Sequence, residues 1–220
     1  MAITSDHAYE KLRSMIYRRQ LRPGDRLVER DLAAKLGISR IPLREGLARL
    51  ESEGLVRSVP NSATFVEDLA PGDVLEIYSM RLLLEPMATR LATIRSGPQL
   101  VKQLQRICDQ MTAHQAEQNF VKVDDLDYRF HLAIVHASAH RRLIRAYESC
   151  HIQVLASHLE DDALRLLPSD STAAEHVRII AGIAANRPTA AEKAASDHVR
   201  NAMRQKEEVL GVKFEDLPSS

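Results

Sequence analysis

The sequence predicts a mainly α-helical chain in which a winged helix-turn-helix is followed by an all-helical antiparallel bundle. Three observations point there. The early part of the chain reads as three short helices with sharp punctuation, then two short, partly alternating segments. From Pro71 onward only helical periodicity recurs. Charge is also unevenly spread: the whole chain balances 30 Lys and Arg against 30 Asp and Glu, yet Lys11 to Arg49 holds eleven against four. Such a local excess suits a surface that faces a polyanion.

Taken in order, Ala8, Leu12, Met15 and Ile16 recur at helical spacing and give the first helix. It ends at LRPGDRL, where Pro23-Gly24 marks a turn. ERDLAAKLG is a second short helix with Gly37 as its C-cap. A third runs from about Arg40 to Glu53, with Ser39 placed to cap it and Pro42 in its first turn, where a missing N–H costs little. Gly54 stops it, and LVRSV and TFVED then form a two-stranded ribbon around PNSA. These elements place a winged helix-turn-helix domain at residues 1–70.

The remainder, 71–220, forms a second, all-α domain. Breaks are expected near Ser96-Gly97-Pro98, Asn119, Ala139-His140, Pro168-Ser169 and Asn186-Arg187-Pro188. Between them run amphipathic stripes, such as Val74, Ile77, Arg81, Leu84, Ala88 and Leu91, or Leu100, Leu104, Ile107 and Met111. About six helices with short connections suit an antiparallel bundle.

Composition excludes several classes. Apolar residues at 45% and charged residues at 27% are ordinary for a soluble globular chain of 220 residues. The longest apolar runs are far short of a membrane span. MAITSDHAYEKL lacks a basic region followed by an apolar one, so no signal peptide is expected. Two distant cysteines, Cys108 and Cys150, fit ordinary buried thiols in a cytoplasmic protein.

In SRIPLREGLARL, Leu43, Leu47 and Leu50 make a buried stripe. Arg40 and Arg44, four residues apart, project from one exposed side and can reach one stretch of a DNA major groove. Arg49 lies nearer the helix end, where a pairing with Glu45 or Glu53 competes with any DNA contact.

The run LRPGDRLVERDLAAKLGISRIPLREGLARLESEGLV resembles the winged-helix domain of the GntR family of bacterial transcriptional regulators. The likeness covers roughly residues 8 to 67: the PG turn, an L-x-E-x-x-L-A pattern, the S-R-x-P-x-R-E core and the EGLV exit. It implies that Arg30, Ser39, Arg40 and Arg44 hold the positions that touch operator DNA. The wing departs from the family pattern, since its tip is Asn61-Ser62-Ala63 rather than an Asn-Arg-Gly type. That removes a candidate phosphate or minor-groove contact and an easy positive-φ turn.

The stretch DYRFHLAIVHASAH, Asp127 to His140, carries one acid and three histidines. Asp127 and His131 are one helical turn apart and point the same way, so both can reach one divalent cation. His136 lies about 140° round the helix and is badly placed to join. His140 falls at a helix boundary. His176 and His198 each sit on an inward face of a later helix. Taken alone, either could equally be a core histidine. His151 and His158, seven apart, show no acid or third histidine at suitable spacing.

Roughly residues 73 to 212 resemble the FCD effector domain of the FadR subfamily of GntR regulators. Members with a metal site show a D-x-x-x-H pair and then two histidines from later helices. DYRFH, the EH at 175–176 and the histidine of SDHVR match that order, at steps of 45 and 22 residues. The resemblance implies Asp127, His131, His176 and His198 as metal ligands. Zinc is the first expectation, and nickel, manganese or iron accept the same donors. An open cation in an apolar bundle suits a small carboxylate effector. Arg81, on the apolar stripe of its helix, either anchors that anion or pairs with Glu85 one turn on.

The expected function is a metabolite-responsive regulator, a repressor, that binds double-stranded operator DNA as a homodimer. Two alternatives belong to other classes: a metal-dependent hydrolase fused to a DNA-binding head, or a bundle that only dimerises. The hydrolase lacks a placed general base, because Glu175 is adjacent to His176 and is expected to point elsewhere.

Overall fold

Leucine and alanine spacing in the first seventeen residues produces helix α1 (Ser5–Tyr17), which buries Ala8, Leu12, Met15 and Ile16. The structure is a computed structural model that describes residues 5–17, 20–60, 63–68, 70–149 and 170–216. They divide into two compact units.

In the first unit, strand β1 (Arg26–Leu27) leads into α2 (Glu29–Leu36) and α3 (Arg40–Ser52). Gly37 ends α2 at φ 66°, a left-handed conformation that donates its N–H back to the helix. Leu43, Leu47 and Leu50 are buried as the periodicity requires. Gly46 is needed for a different reason: a Cβ there would stand 3.0 Å from the backbone nitrogen of Tyr9, so its absence sets the close crossing of α3 on α1. Ser39 does occupy the N-cap of α3, but its side chain makes no capping hydrogen bond.

The wing has one more strand than expected. β2 (Val56–Val59) and β3 (Ala63–Val66) pair as the sequence suggests, and β1 adds to the far side of β3 in the order β1-β3-β2. Two residues give no alternation to read, so β1 exists only through its pairing of Arg26 with Phe65 and Leu27 with Thr64. Asn61 and Ser62 at the wing tip lie outside the described residues.

The second unit holds α4 (Pro71–Arg95), α5 (Pro98–Ala116), α6 (Phe120–Ala137), α7 (Arg141–Ser149), α8 (Asp170–Ala184), α9 (Pro188–Leu210) and a final 3-10 turn, Phe214–Asp216. Proline opens α4, α5 and α9 at a position whose N–H has no helical partner. The connections after α4, α5, α6 and α8 are two or three residues long, and three of them turn on a left-handed residue: Gln118, Ala139 and Asn186. The expected break at Pro168-Ser169, and His151 and His158, lie outside the described residues.

Helix α4 differs from its sequence stripe. Val74, Arg81 and Ala88 are buried, but so are Tyr78, Glu85, Pro86, Thr89 and Ala92, while Ile77, Leu84 and Leu91 are only half-buried. The helix is covered on more than one side, with α9 running along it most extensively and α6 also against it. Thr89 and Thr93 return their hydroxyls to the carbonyls four residues back, which satisfies polar groups on a buried face. A core of Leu100, Leu104, Met111, Phe130, Ile134, Ile179 and Ile183 joins α5, α6 and α8.

Helices α8 and α9 cross at Gly182, where a Cβ would fall 2.7 Å from Cα of Ala191. Gly182→Ala must therefore push one backbone off the other. Urea denaturation is expected to show a loss of about 1–3 kcal/mol, typical of overpacking, although alanine is the better helix former.

Candidate functional site

Four helices of the second unit place chemistry at one point. His131 comes from α6, His176 from α8 and His198 from α9, and all three rings are buried. Ring centroids lie 4.7 to 5.3 Å apart. The Nε2 atoms face one another: His131 is 3.4 Å from His176 and 3.2 Å from His198. Asp127, one turn before His131, adds a carboxylate oxygen 3.3 Å from Nε2 of His176 and 3.7 Å from Nε2 of His131. Phe130 walls the group, its ring 4.2 Å from that of His176.

This donor set fits a divalent cation. Nitrogen donors about 2.0–2.1 Å from a tetrahedral zinc stand about 3.3–3.4 Å from each other, close to the separations seen here. Three imidazoles buried tip to tip have no comparable use as hydrogen-bond partners, since a shared proton can serve only one pair at a time. The three histidines can thus hold a metal ion.

Carboxylates from neighbouring helices meet the other side of two rings. Glu85 of α4 puts Oε2 2.8 Å from Nδ1 of His131. Glu175 of α8 puts Oε2 2.8 Å from Nδ1 of His198. Glu85 also accepts from Nε of Arg81 at 2.7 Å and from the Tyr147 hydroxyl at 3.4 Å. Glu175 accepts from the Asn201 amide at 2.7 Å. The expectation that Glu175 points away is therefore corrected. It does diverge from His176 on its own helix, but that divergence brings it to His198 of α9.

Charge follows from these contacts. Burial alone would neutralise Glu85, yet Arg81 and His131 hold its carboxyl well below the usual range. Asp127 is likewise held low against its burial by His131, His176 and Arg81. Burial opposes the charged form of His131, but Glu85 and Asp127 push it up to about 9. Burial lowers both His176 and His198, which favours their neutral rings.

The pairing expected of Arg81 with Glu85 is present, and Arg81 lines a cavity of about 190 Å³ together with Tyr78, Cys108, Asp127, His176 and His198. Its Nη2 is buried without a hydrogen-bond partner among the described residues. An unanswered guanidinium nitrogen beside that cavity calls for an anion. His136 is exposed, and His140 caps α7 by accepting from the N–H of Leu143 at 3.1 Å.

In the first unit Arg30, Ser39, Arg40 and Arg44 are all exposed around the start of α2 and α3. Arg44 is held at 2.7 Å by Glu29, which ties the two helices, and Arg30 pairs with its neighbour Asp31. Arg49 instead contacts Asp6 and Glu53 and lies 3.7 Å over the ring of Tyr9, a structural position. Ile41, between Arg40 and Arg44 on the same helix, is 72% exposed. Its exposure shows only once the helix is packed.

Residues 4–66 match the bacterial regulatory proteins of the gntR family, and residues 76–201 match the FCD domain. The Nta operon transcriptional regulator of Aminobacter aminovorans is 34% identical over 131 residues, 58% of this chain and 60% of that protein. The gluconate operon transcriptional repressor of Bacillus subtilis is 34% identical over 155 residues, 70% of this chain and 58% of that protein. The chain thus spans about three-fifths of the length of these curated relatives. The solved structure of Escherichia coli McbR superposes with a TM-score of 0.81 at 22% identity, over 95% of this chain and 99% of that one, and shares the fold. Among the described residues no helix is long and apolar enough to cross a membrane.

Burial pushes the Cys108 thiol up to about 11, with Asp109 and Asp127 adding to it. Alkylation at pH 8, followed by peptide mapping, is expected to label Cys108 about a hundredfold more slowly in the folded protein than in urea.

Proposed function

The chain belongs to the gntR family of bacterial regulatory proteins and carries an FCD domain, and on that premise we propose a metabolite-responsive repressor whose rear domain holds a divalent metal and a small organic acid. Its relatives are transcriptional regulators and not enzymes, and the family's helix-turn-helix is a DNA-binding module. In the proposed division, residues 1–70 read DNA and 71–220 bind the effector and dimerise.

One observation carries the proposal: the Nε2 atoms of His131, His176 and His198 converge, and His176 and His198 line the same cavity as Arg81, whose Nη2 has no hydrogen-bond partner among the described residues. Asp127, His131, His176 and His198 are the proposed ligands. Zinc fits the donor spacing best, and nickel, manganese or iron accept the same set. When bound, the cation supplies an open position that accepts a carboxylate oxygen. Arg81 offers a second contact to the same anion through Nη2. A cavity of about 190 Å³ equals the liquid volume of about six waters, so the acid is small. Its lining mixes apolar side chains such as Cys108 and Met111 with polar ones such as Thr112, Gln115 and Gln205, so the ligand can carry polar groups besides its carboxylate.

On the DNA side, Arg40 and Arg44 reach base edges or phosphates from the start of α3, with Ser39 and Arg30 beside them. Ile41 is suited to contact a thymine methyl. Arg44 must leave Glu29 to do so, and exchanging one anion for another keeps that cost small. A homodimer would present two such helices to a two-fold operator. Leu83, Met87 and Ile94 form an exposed apolar stripe along α4, which supports contact with a second copy. Binding and regulation of DNA place the expected site of action in the cytoplasm.

The hydrolase alternative is weakened further by the site itself. Glu175 is occupied by His198 and Asn201, so it is not free to take a proton from water.

Two variants separate the parts. Arg44→Ala is expected to lose about 1–3 kcal/mol of operator discrimination in gel shifts while still binding metal. His198→Ala is expected to bind DNA normally but to purify with less metal by elemental analysis. It should also lose the melting-temperature rise that small carboxylates give the parent. A His198→Ala protein that keeps its full metal content and carboxylate response would sink the proposed centre.

A further inference from the structure

We infer that Glu85 and Glu175 are positioning residues that fix His131 and His198 with their Nε2 lone pairs turned into the metal centre. The inference rests on the metal reading above and adds two residues that are not among the proposed ligands.

An imidazole ring offers Nε2 to a cation only when its proton, if it has one, sits on Nδ1, and an acceptor at Nδ1 selects that tautomer and that orientation. Both rings have a carboxylate oxygen 2.8 Å from Nδ1, through a hydrogen bond between His198 and Glu175 and an ion-pair contact between His131 and Glu85, and both carboxylates are buried, Glu85 at 3% exposure and Glu175 at 7%. A buried carboxylate is costly unless its remaining lone pairs are answered. Here they are. Arg81 and Tyr147 fix Oε1 of Glu85, and Asn201 fixes Oε1 of Glu175. Each carboxylate is thus oriented before any ion arrives, with one oxygen tied back and the other at an imidazole.

The two clamps also cross between helices. Glu85 of α4 holds a ligand on α6, and Glu175 of α8 holds a ligand on α9. The centre therefore engages four helices although its proposed ligands come from three. His176 has no such support, since its Nδ1 is buried without a partner among the described residues. Phe130 stacks on that ring instead. Glu85 has a further consequence, because it serves His131 and Arg81 at once and so links the ion to the nitrogen that would meet the anion.

The test uses the full-length protein and metal alone. Zinc affinity is measured by competition with a chromophoric chelator, and cobalt(II) loading is followed by visible absorption, which reports coordination geometry. Glu175→Gln and Glu85→Gln are each expected to weaken zinc binding about 10–100-fold and to change the cobalt spectrum. Glu175→Asp, which keeps a carboxylate, is expected to recover part of the affinity. Glu85→Gln leaves Arg81 buried without its anion and can misfold, so Glu175→Gln decides the matter if it does. Glu192→Gln, away from the centre, is expected to match the parent. Parent-like zinc affinity and cobalt spectrum in Glu175→Gln would overturn the inference while leaving the metal centre in place. Weakened binding with an unchanged spectrum would also overturn it, because that pattern reports general destabilisation. A parent protein that binds neither ion would remove the centre itself.

Discussion

The second unit is organised around the burial of ionisable groups that cannot be left alone. Arg81, Glu85, His131, His176 and His198 are each nearly or fully removed from water. An isolated buried charge costs several kcal/mol after relaxation, so each one dictates the position of the next. Arg81 requires Glu85, Glu85 reaches His131, and His131 stands in contact distance of His176, His198 and Asp127. Glu175 and Asn201 close the far end. The chain of contacts passes through α4, α6, α8 and α9, and only a specific packing of those helices satisfies all of it.

Small residues make that packing attainable. Gly182 lets α8 and α9 approach until backbone meets side chain, and Ala88, Ala92, Ala191 and Ala195 keep the surrounding seams thin. Short connections that turn on left-handed residues limit how far successive helices can drift apart. The helix-turn-helix unit follows a different logic. Its core is aliphatic, mostly leucine with Ile16, Val56 and Val66, and most of its charged groups stay at the surface, where Glu29 and Arg44 tie two helices at modest energetic value. One unit thus keeps its cations available to an external polyanion. The other buries a cation and leaves one of its nitrogens facing a cavity.

Much of this was legible in the residues. Period and punctuation located α2, α3, α5 and the breaks after α4, α5, α6 and α8. These signals are local, since a glycine in a left-handed turn or a proline at a helix start acts through its own backbone. The D-x-x-x-H spacing put Asp127 and His131 on one face, and the resemblance supplied His176 and His198. Three features were not legible. β1 is too short to alternate and exists only because β3 lies beside it. The burial pattern of α4 depends on which helices cover it. Glu175 was misjudged because helical geometry relates it to His176 and says nothing of a neighbouring helix.

The amino-acid sequence by itself determined the two-part architecture, the family, the reading helix with its exposed arginines, and the inward faces that carry the histidines. Each of these follows from interactions within a few residues along the chain, or from a motif contained in one segment. Only the tertiary structure decided that Nε2 of His131 stands 3.4 Å from that of His176 and 3.2 Å from that of His198, that Arg81 both pairs and lines a cavity, and that Glu85 and Glu175 stand behind His131 and His198. The reason is physical. Apart from the pairing of Arg81 with Glu85 one turn on, those contacts join residues on different helices, 23 to 67 positions apart, and their distances are set by how helices pack, which no local periodicity encodes.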